Sequence, residues 1–209
     1  MFYPFKSLVR TRGYQDNLYS IAQGNRDPAH RTVFCRSVAG YSADDFDDVT
    51  ADLCKIRHAN LHSADAFRAA TNGDIFFIEF KDDDQAGLDA IGHGQPEIDP
   101  CTGVERRELP IGISLLQKAF DSLAVAAMTA CHDMTMDDLK SRSIFIVVRR
   151  DDPPSYTATV NTIASFAQKT PRQSPVLWGL DRLCREGYYK QVFTWTEKEF
   201  SAQAAGLLK

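Results

Sequence analysis

Glu79 and Lys81 stand two positions apart in Asp74-Ile75-Phe76-Phe77-Ile78-Glu79-Phe80-Lys81, at the end of an apolar run. An apolar run of this kind reads as a strand buried on both faces. Side chains two apart on a strand share a face, so Glu79 and Lys81 leave the strand's C-terminal end together. Burying a carboxylate or an ammonium is costly unless each finds a partner or a metal. Side by side where a core strand surfaces, they are the parts needed to hold a divalent cation beside a reacting phosphate. The chemistry to test is therefore that of a nuclease.

The elements that must position this pair follow from periodicity. Ser42 is placed to cap a helix running to about Ile56, with Phe46, Val49, Leu53 and Ile56 on one face. Residues 58-69 are expected to hold a strand ending in Ala64-Asp65-Ala66-Phe67. The Thr71-Asn72-Gly73-Asp74 turn then returns the chain as a hairpin into the Glu79 strand. After Lys81 comes Asp82-Asp83-Asp84 and a long Gly- and Pro-bearing loop to Pro110, a length that suits function or partial disorder. Pro110 opens a strong helix with Leu115, Leu116, Ala119, Phe120, Leu123, Ala126 and Ala127 at helical spacing. Ser143 to Val148 is a second buried strand, ending in Arg149-Arg150. Helices near 155-168 and 178-186, a strand from Tyr188 to Trp195, and a last helix follow. That helix begins with a capping box of Thr196 and Glu199. A right-handed crossover between the Asp74 and Ser143 strands makes them parallel neighbours. Arg149 and Arg150 then emerge at the sheet edge that carries Glu79 and Lys81.

Size and charge narrow the setting. A chain of 209 residues, 44% hydrophobic and 25% charged, suits one soluble domain spanning 1-209. Its parts read as an N-terminal arm (1-40), a core (42-150) and a C-terminal extension (151-209). No apolar run is read as approaching the ~18 residues of a membrane span, and the N-terminus lacks a secretory layout, so no membrane association is expected. Cysteines 35, 54, 101, 131 and 184 are scattered with no C-x-x-C pair. Reduced thiols in a cytoplasmic protein fit that pattern better than disulfides or a zinc cluster. Net charge is -4, which excludes coating nucleic acid by bulk positive charge. The charge is uneven, however: residues 1-40 carry +4, residues 41-105 carry -11 and residues 106-209 carry +3. An acidic middle with basic flanks suits a metal-collecting centre beside phosphate contacts.

Asp65 precedes Glu79 by fourteen residues. Together with the element order, Ala64-Asp65-Ala66-Phe67 and Ile78-Glu79-Phe80-Lys81 resemble the two signature motifs of the PD-(D/E)XK nuclease superfamily. The resemblance covers residues 42-150 and implies a restriction-endonuclease-like α/β core. That core is a mixed central sheet flanked by helices (α-β-β-β-α-β), here with C-terminal helix and strand additions. It further implies that Asp65, Glu79 and the Phe80 carbonyl bind Mg²⁺ or Mn²⁺ through hard oxygen ligands. Lys81 would position a water or neutralise the transition state, and Gln117 or Lys118 would supply a further polar site residue. Arg149 and Arg150 would hold flanking phosphates. The implied partner is nucleic acid, DNA first, in a protein of bacterial or phage type, and many nucleases of this fold act as homodimers. Three departures stand out. Alanine rather than proline precedes Asp65. The helix at 42-56 offers aspartates in place of a glutamate, with Asp45 and Asp52 nearest the apolar face and neither assigned. The loop after Lys81 is long and acidic.

Rival readings are simpler. Glu79 and Lys81 could form a strand-end salt bridge with Asp65 capping a turn, or the fold could serve a non-catalytic nucleic-acid-binding or protein-interaction module. His58 and His62 have i,i+4 spacing but no third ligand, and His93 reads as a solvated loop residue. Cys131-His132 are helix neighbours whose side chains diverge, which rules out a dyad.

Overall fold

The computed structural model describes residues 14–23, 38, 40–81, 97–98, 105–106, 111–150 and 176–207, the two short pieces at 97–98 and 105–106 as backbone only. In chain order the elements are β1 (Gln15–Asn17), α1 (Leu18–Gln23), β2 (Ser42–Asp45), α2 (Phe46–Arg57), β3 (Ala66–Ala69) and β4 (Ile75–Lys81). Then come β5 (Glu97–Ile98), β6 (Glu105–Arg106), α3 (Ile111–Met128), α4 (Met136–Arg142), β7 (Ser143–Arg149), α5 (Asp181–Arg185), β8 (Gln191–Thr196) and α6 (Glu197–Leu207).

Among the described residues, six strands form one open mixed sheet in the order β1-β2-β3-β4-β7-β8, flanked by helices, and β5-β6 make a separate two-stranded ribbon. β1 to β4 pair antiparallel in succession, whereas β4-β7 and β7-β8 are parallel. The hairpin before β4 forms as its turn residues predict. Gly73 N–H donates to the Ala70 carbonyl (3.0 Å), Ala70 N–H to the Asp74 carbonyl (2.9 Å), and Gly73 adopts φ +86. A β-carbon at that φ would be strained, so glycine belongs there.

Alternation sorts β4 and β7 into two apolar layers. Phe77, Phe145 and Val147 pack with Phe46, Leu53, Leu115 and Leu123 beneath α2 and α3. Phe76, Ile78, Phe80, Ile146 and Val148 pack with Leu18, Phe200 and Ala204 from α1 and α6 on the other face. Both strands are buried throughout except at the last residue, Lys81 and Arg149. The helix capping box is present: Thr196 N–H donates to Glu199 Oε2 (2.8 Å) and Glu199 N–H to Thr196 Oγ1 (3.3 Å).

Several expectations need correction. Residues 42–45 are a strand, and Asp45 rather than Ser42 caps α2, accepting from Asp48 N–H at 3.2 Å. Ile56 is 52% exposed, because the buried stripe runs Phe46, Val49, Thr50, Leu53 and the helix ends one turn later. Among the described residues no strand separates α2 from the Asp65 segment. The place beside β3 is taken by β2, which precedes the helix, so the core runs strand-helix-strand-strand-helix-strand. Asp65 lies just before β3 rather than inside it. β8 starts at Gln191, since Tyr188 and Tyr189 belong to the turn after α5. The N-terminal segment, read as an arm or a peripheral strand, supplies β1 at the edge of the sheet, in keeping with the second of these. The helix expected at 155-168 and His93 lie outside the described residues. α3 is long and apolar enough to cross a membrane by length and composition alone. It nonetheless carries Lys118 and Asp121, and its buried stripe packs on the sheet.

Candidate functional site

Two strand ends and one helix converge at the C-terminal edge of β4. Ala66 pairs with Ile78 across the antiparallel hairpin, so Asp65, one residue earlier, comes level with Glu79. The link is direct: Phe80 N–H donates to Asp65 Oδ2 at 2.6 Å. β7 runs parallel in register, Lys81 beside Arg149, so these two cations leave neighbouring strands on the face that carries Glu79. The expected juxtaposition of Asp65, Glu79, Lys81 and Arg149 is therefore present, with half-buried Arg150 one residue beyond the strand.

α3 supplies the next component. Lys118, Asp121 and Ser122 fall on one face of the helix by i, i+3, i+4 spacing. Ser122 Oγ accepts from Ala64 N–H (2.8 Å) and Asp121 Oδ2 from His62 N–H (3.0 Å). These bonds tie the helix to the segment that leads into Asp65. Lys118 is thereby aimed at the carboxylates, with Nζ 2.9 Å from both Oε1 and Oε2 of Glu79 and 3.5 Å from Asp65 Oδ1. Lys81 Nζ reaches Glu79 Oε1 at 2.7 Å. Gln117, about 100° around the helix from Lys118, is exposed instead. Of the two α3 candidates, Lys118 is the one brought to the carboxylates.

Glu79 is fully buried, while the side chains of Lys81, Lys118 and Asp65 retain 21%, 19% and 19% of their exposure. Burial pushes the Glu79 carboxyl above its ordinary range and the Asp65 charge adds to this, against the opposing pull of Lys118 and Lys81. Burial likewise raises Asp65, opposed chiefly by Lys118. Burial acts to lower Lys118, but Glu79 first and Asp65 second outweigh it and hold the ammonium above its ordinary value. Lys118 is therefore charged at neutral pH, and the two carboxylates share it.

Asp47, on the first turn of α2, is the residue that the sequence reading missed. It sits exposed at the rim, accepts from Ser63 Oγ at 3.1 Å, and feels the charges of Lys118 and Glu79. The surrounding protein raises its carboxyl and Lys118 opposes the rise. No local signal singles it out, because which aspartate of α2 faces the sheet edge depends on how the helix docks. Asp45 and Asp52, nearest the apolar stripe but assigned no role by the sequence, are occupied elsewhere. Asp45 caps the helix, and Asp52 accepts from Tyr14 Oη (2.8 Å) and pairs with Lys55 (3.1 Å).

The donor set suits a hard cation. Two carboxylates meet on one cationic atom, the ammonium of Lys118, and so present converging oxygens of the kind Mg²⁺ or Mn²⁺ takes. Among the described residues no three His, Cys, Asp or Glu side chains stand at metal-ligand spacing. Asp47 is thus an outlying third acid, and main-chain oxygen or water would complete a coordination shell.

The weaker candidates resolve into structural roles. His58 terminates α2 in a left-handed conformation (φ 52), and His62 lies in the irregular segment beyond, so the two do not share a helix face. His132 Nδ1 lies 3.1 Å from the Thr129 carbonyl and its Nε2 2.8 Å from Asp133, while Cys131 is buried. Phe193 and Trp195 stack at 4.4 Å and pack on the α6 side of the sheet. No family model, no curated protein and no solved structure matches this chain.

Proposed function

We propose that the chain is a metal-dependent nuclease-like protein of the PD-(D/E)XK type that hydrolyses phosphodiester bonds, with DNA as substrate. The observation that carries this reading is the meeting of buried Glu79 with Asp65 on one cationic centre, at a sheet edge that also carries Lys81 and Arg149. A fully buried carboxylate flanked by two ammoniums is an expensive arrangement for a merely structural end of a strand.

In this reading Glu79 and Asp65 would hold Mg²⁺ or Mn²⁺, with the Phe80 carbonyl as the main-chain candidate. The ion would supply Lewis acidity, lowering the pKa of a water and drawing charge from the phosphate. Lys81, on the Glu79 face, would position a water or offset the charge that builds on the phosphoryl oxygens. Arg149, level with Lys81, and Arg150 beyond it hold phosphates flanking the scissile bond, which positions the chain without reading its sequence. The Phe80 N–H fixes one oxygen of Asp65 and leaves the other turned toward the shared cation.

The test is Mg²⁺- and Mn²⁺-dependent cleavage of plasmid, linear and single-stranded DNA and of RNA, for wild type, Lys81→Ala and Glu79→Gln. Metal-dependent cleavage by wild type, lost in both variants, is the expected result. Cleavage that survives in both variants, or none of any substrate together with no Ca²⁺- or Mn²⁺-induced rise in Tm, would overturn the reading.

A further inference from the structure

Lys118 and Lys81 both bind Glu79, but in different ways. Lys81 touches a single oxygen, Oε1, at 2.7 Å. Lys118 Nζ is equidistant from both Glu79 oxygens at 2.9 Å and lies 3.5 Å from Asp65 Oδ1. An ammonium placed evenly on one carboxylate and within ion-pair reach of a second occupies the point on which the Asp65 and Glu79 oxygens converge. Two like-charged centres cannot share that point. With a dication held there, an ammonium at the present Lys118 position would face strong repulsion in a poorly screened site.

The surroundings determine what can give way. α3 is tied down within one turn beyond Lys118, where the side chains of Asp121 and Ser122 accept from His62 N–H and Ala64 N–H. The helix is therefore not free to retreat, whereas the flexible four-carbon stem of lysine is. The Lys118 side chain keeps 19% of its exposure, so a route to solvent is open. Lys81, bound to Oε1 alone at the strand's surfacing end, stands to one side of the point where the two carboxylates converge and meets a weaker conflict.

We infer that Lys118 is a built-in cation that closes the Asp65–Glu79 site in the metal-free protein and must vacate it for a divalent ion to enter. The inference rests on the metal-binding reading above and adds a device to it: a lysine that competes with the metal for the same oxygens. Such a lysine keeps the buried carboxylates satisfied during folding and lowers the apparent affinity for the ion. Once displaced, its ammonium is released at the edge where Arg149 stands, ready for an anionic substrate.

The experiment is calorimetric titration of the full chain with calcium chloride, for wild type, Lys118→Met and Lys81→Met, with Tm measured for each protein in chelator and in saturating calcium. Both substitutions remove one positive charge near Glu79, so they separate occupancy of the site from simple electrostatics. The expected result is that Lys118→Met binds calcium at least about ten-fold more tightly than wild type, with a clearly smaller gain for Lys81→Met. Lys118→Met should also melt lower than wild type in chelator and recover more of its Tm on calcium addition. Equal gains in the two variants, or no gain in Lys118→Met, would overturn the competition while leaving the metal site standing. Calcium binding to none of the three proteins would overturn both. Lys118→Gln, whose amide can still donate to Glu79, serves in place of Lys118→Met if the latter does not fold.

Discussion

β4 carries a lysine–carboxylate arrangement at each end, and the two differ in a way that separates structure from chemistry. Below its N-terminal end, Asp74 pairs with Lys190 at 2.6 Å, with Lys190 44% exposed. This is one carboxylate with one lysine, the lysine exposed and the Asp74 side chain half-buried, and it joins the hairpin turn to the residue preceding β8. At its C-terminal end, fully buried Glu79 meets two lysines, and one of those lysines also meets Asp65. The strand-end salt bridge of the plainer reading is itself present here, with Lys81 Nζ 2.7 Å from Glu79 Oε1, but Lys118 and Asp65 join it. This second arrangement has more charges than a salt bridge needs and less solvent than it could easily tolerate. The contrast indicates that burial and convergence, not the presence of opposite charges, mark a site.

The comparison is most severely tested by Glu79→Ala. Removing the carboxylate leaves two ammoniums facing each other, and a loss of about 3 kcal/mol in urea denaturation is expected. A loss below about 1 kcal/mol would make the cluster equivalent to an exposed pair. Next in size is a pH effect. Glu79 and Asp65 have folded-state pKa values raised above their ordinary values of 4.5 and 3.8. A raised acid contributes stability that is fully present below its unfolded pKa and is lost as pH rises through its folded one. In chelator, therefore, these groups lower Tm as pH climbs from about 4 toward the raised values. A bound cation requires the deprotonated forms, so calcium should raise Tm increasingly over the same interval. Two Tm profiles, with and without calcium, should coincide at the acid end and diverge above it; profiles that stay parallel would remove both carboxylates from the binding site.

Asp47→Asn is a smaller change. Asp47 lies outside the converging pair, so calcium affinity should weaken only several-fold, on the order of 1 kcal/mol, through loss of a nearby charge. A loss as large as that from Asp65→Asn would promote Asp47 to a ligand. The smallest effect is expected from Lys190→Ala, within about 1 kcal/mol in stability and with no change in calcium binding. If it did alter calcium binding, the two ends of β4 would be coupled and the contrast between them would fail.

Much of this was written in the sequence. The apolar run into Glu79-Phe80-Lys81, the turn at Asn72-Gly73 and the apolar run into Arg149 determine two buried strands and a hairpin. Side-chain alternation then determines that Glu79, Lys81 and Arg149 share a face. These are local rules of period and turn chemistry, acting within a few residues. The assignment of residues 42–45 went astray because Phe46, Val49 and Leu53 give a helical stripe, while Ser42-Ala43-Asp44-Asp45 has no strand propensity of its own. Those four residues are a strand because β1 and β3 flank them, a tertiary override of propensity.

The acids of α2 show the same limit. Sequence placed Asp45, Asp47, Asp48 and Asp52 on one helix but could not say which of them turns toward the sheet edge. That depends on how the helix docks, and docking puts Asp45 at the cap and Asp52 against Tyr14, leaving Asp47 nearest Lys118. The sequence alone, then, determined the residue types and the face on which each strand presents them. Tertiary structure decided that Lys118 rather than Gln117 meets Glu79. It did so through the bonds of Ser122 and Asp121 to the Asp65 segment, which set the rotation of α3 across 58 and 59 residues of intervening chain. No local period can encode a contact over that distance, because the angle of a helix about its own axis is set by what it packs against.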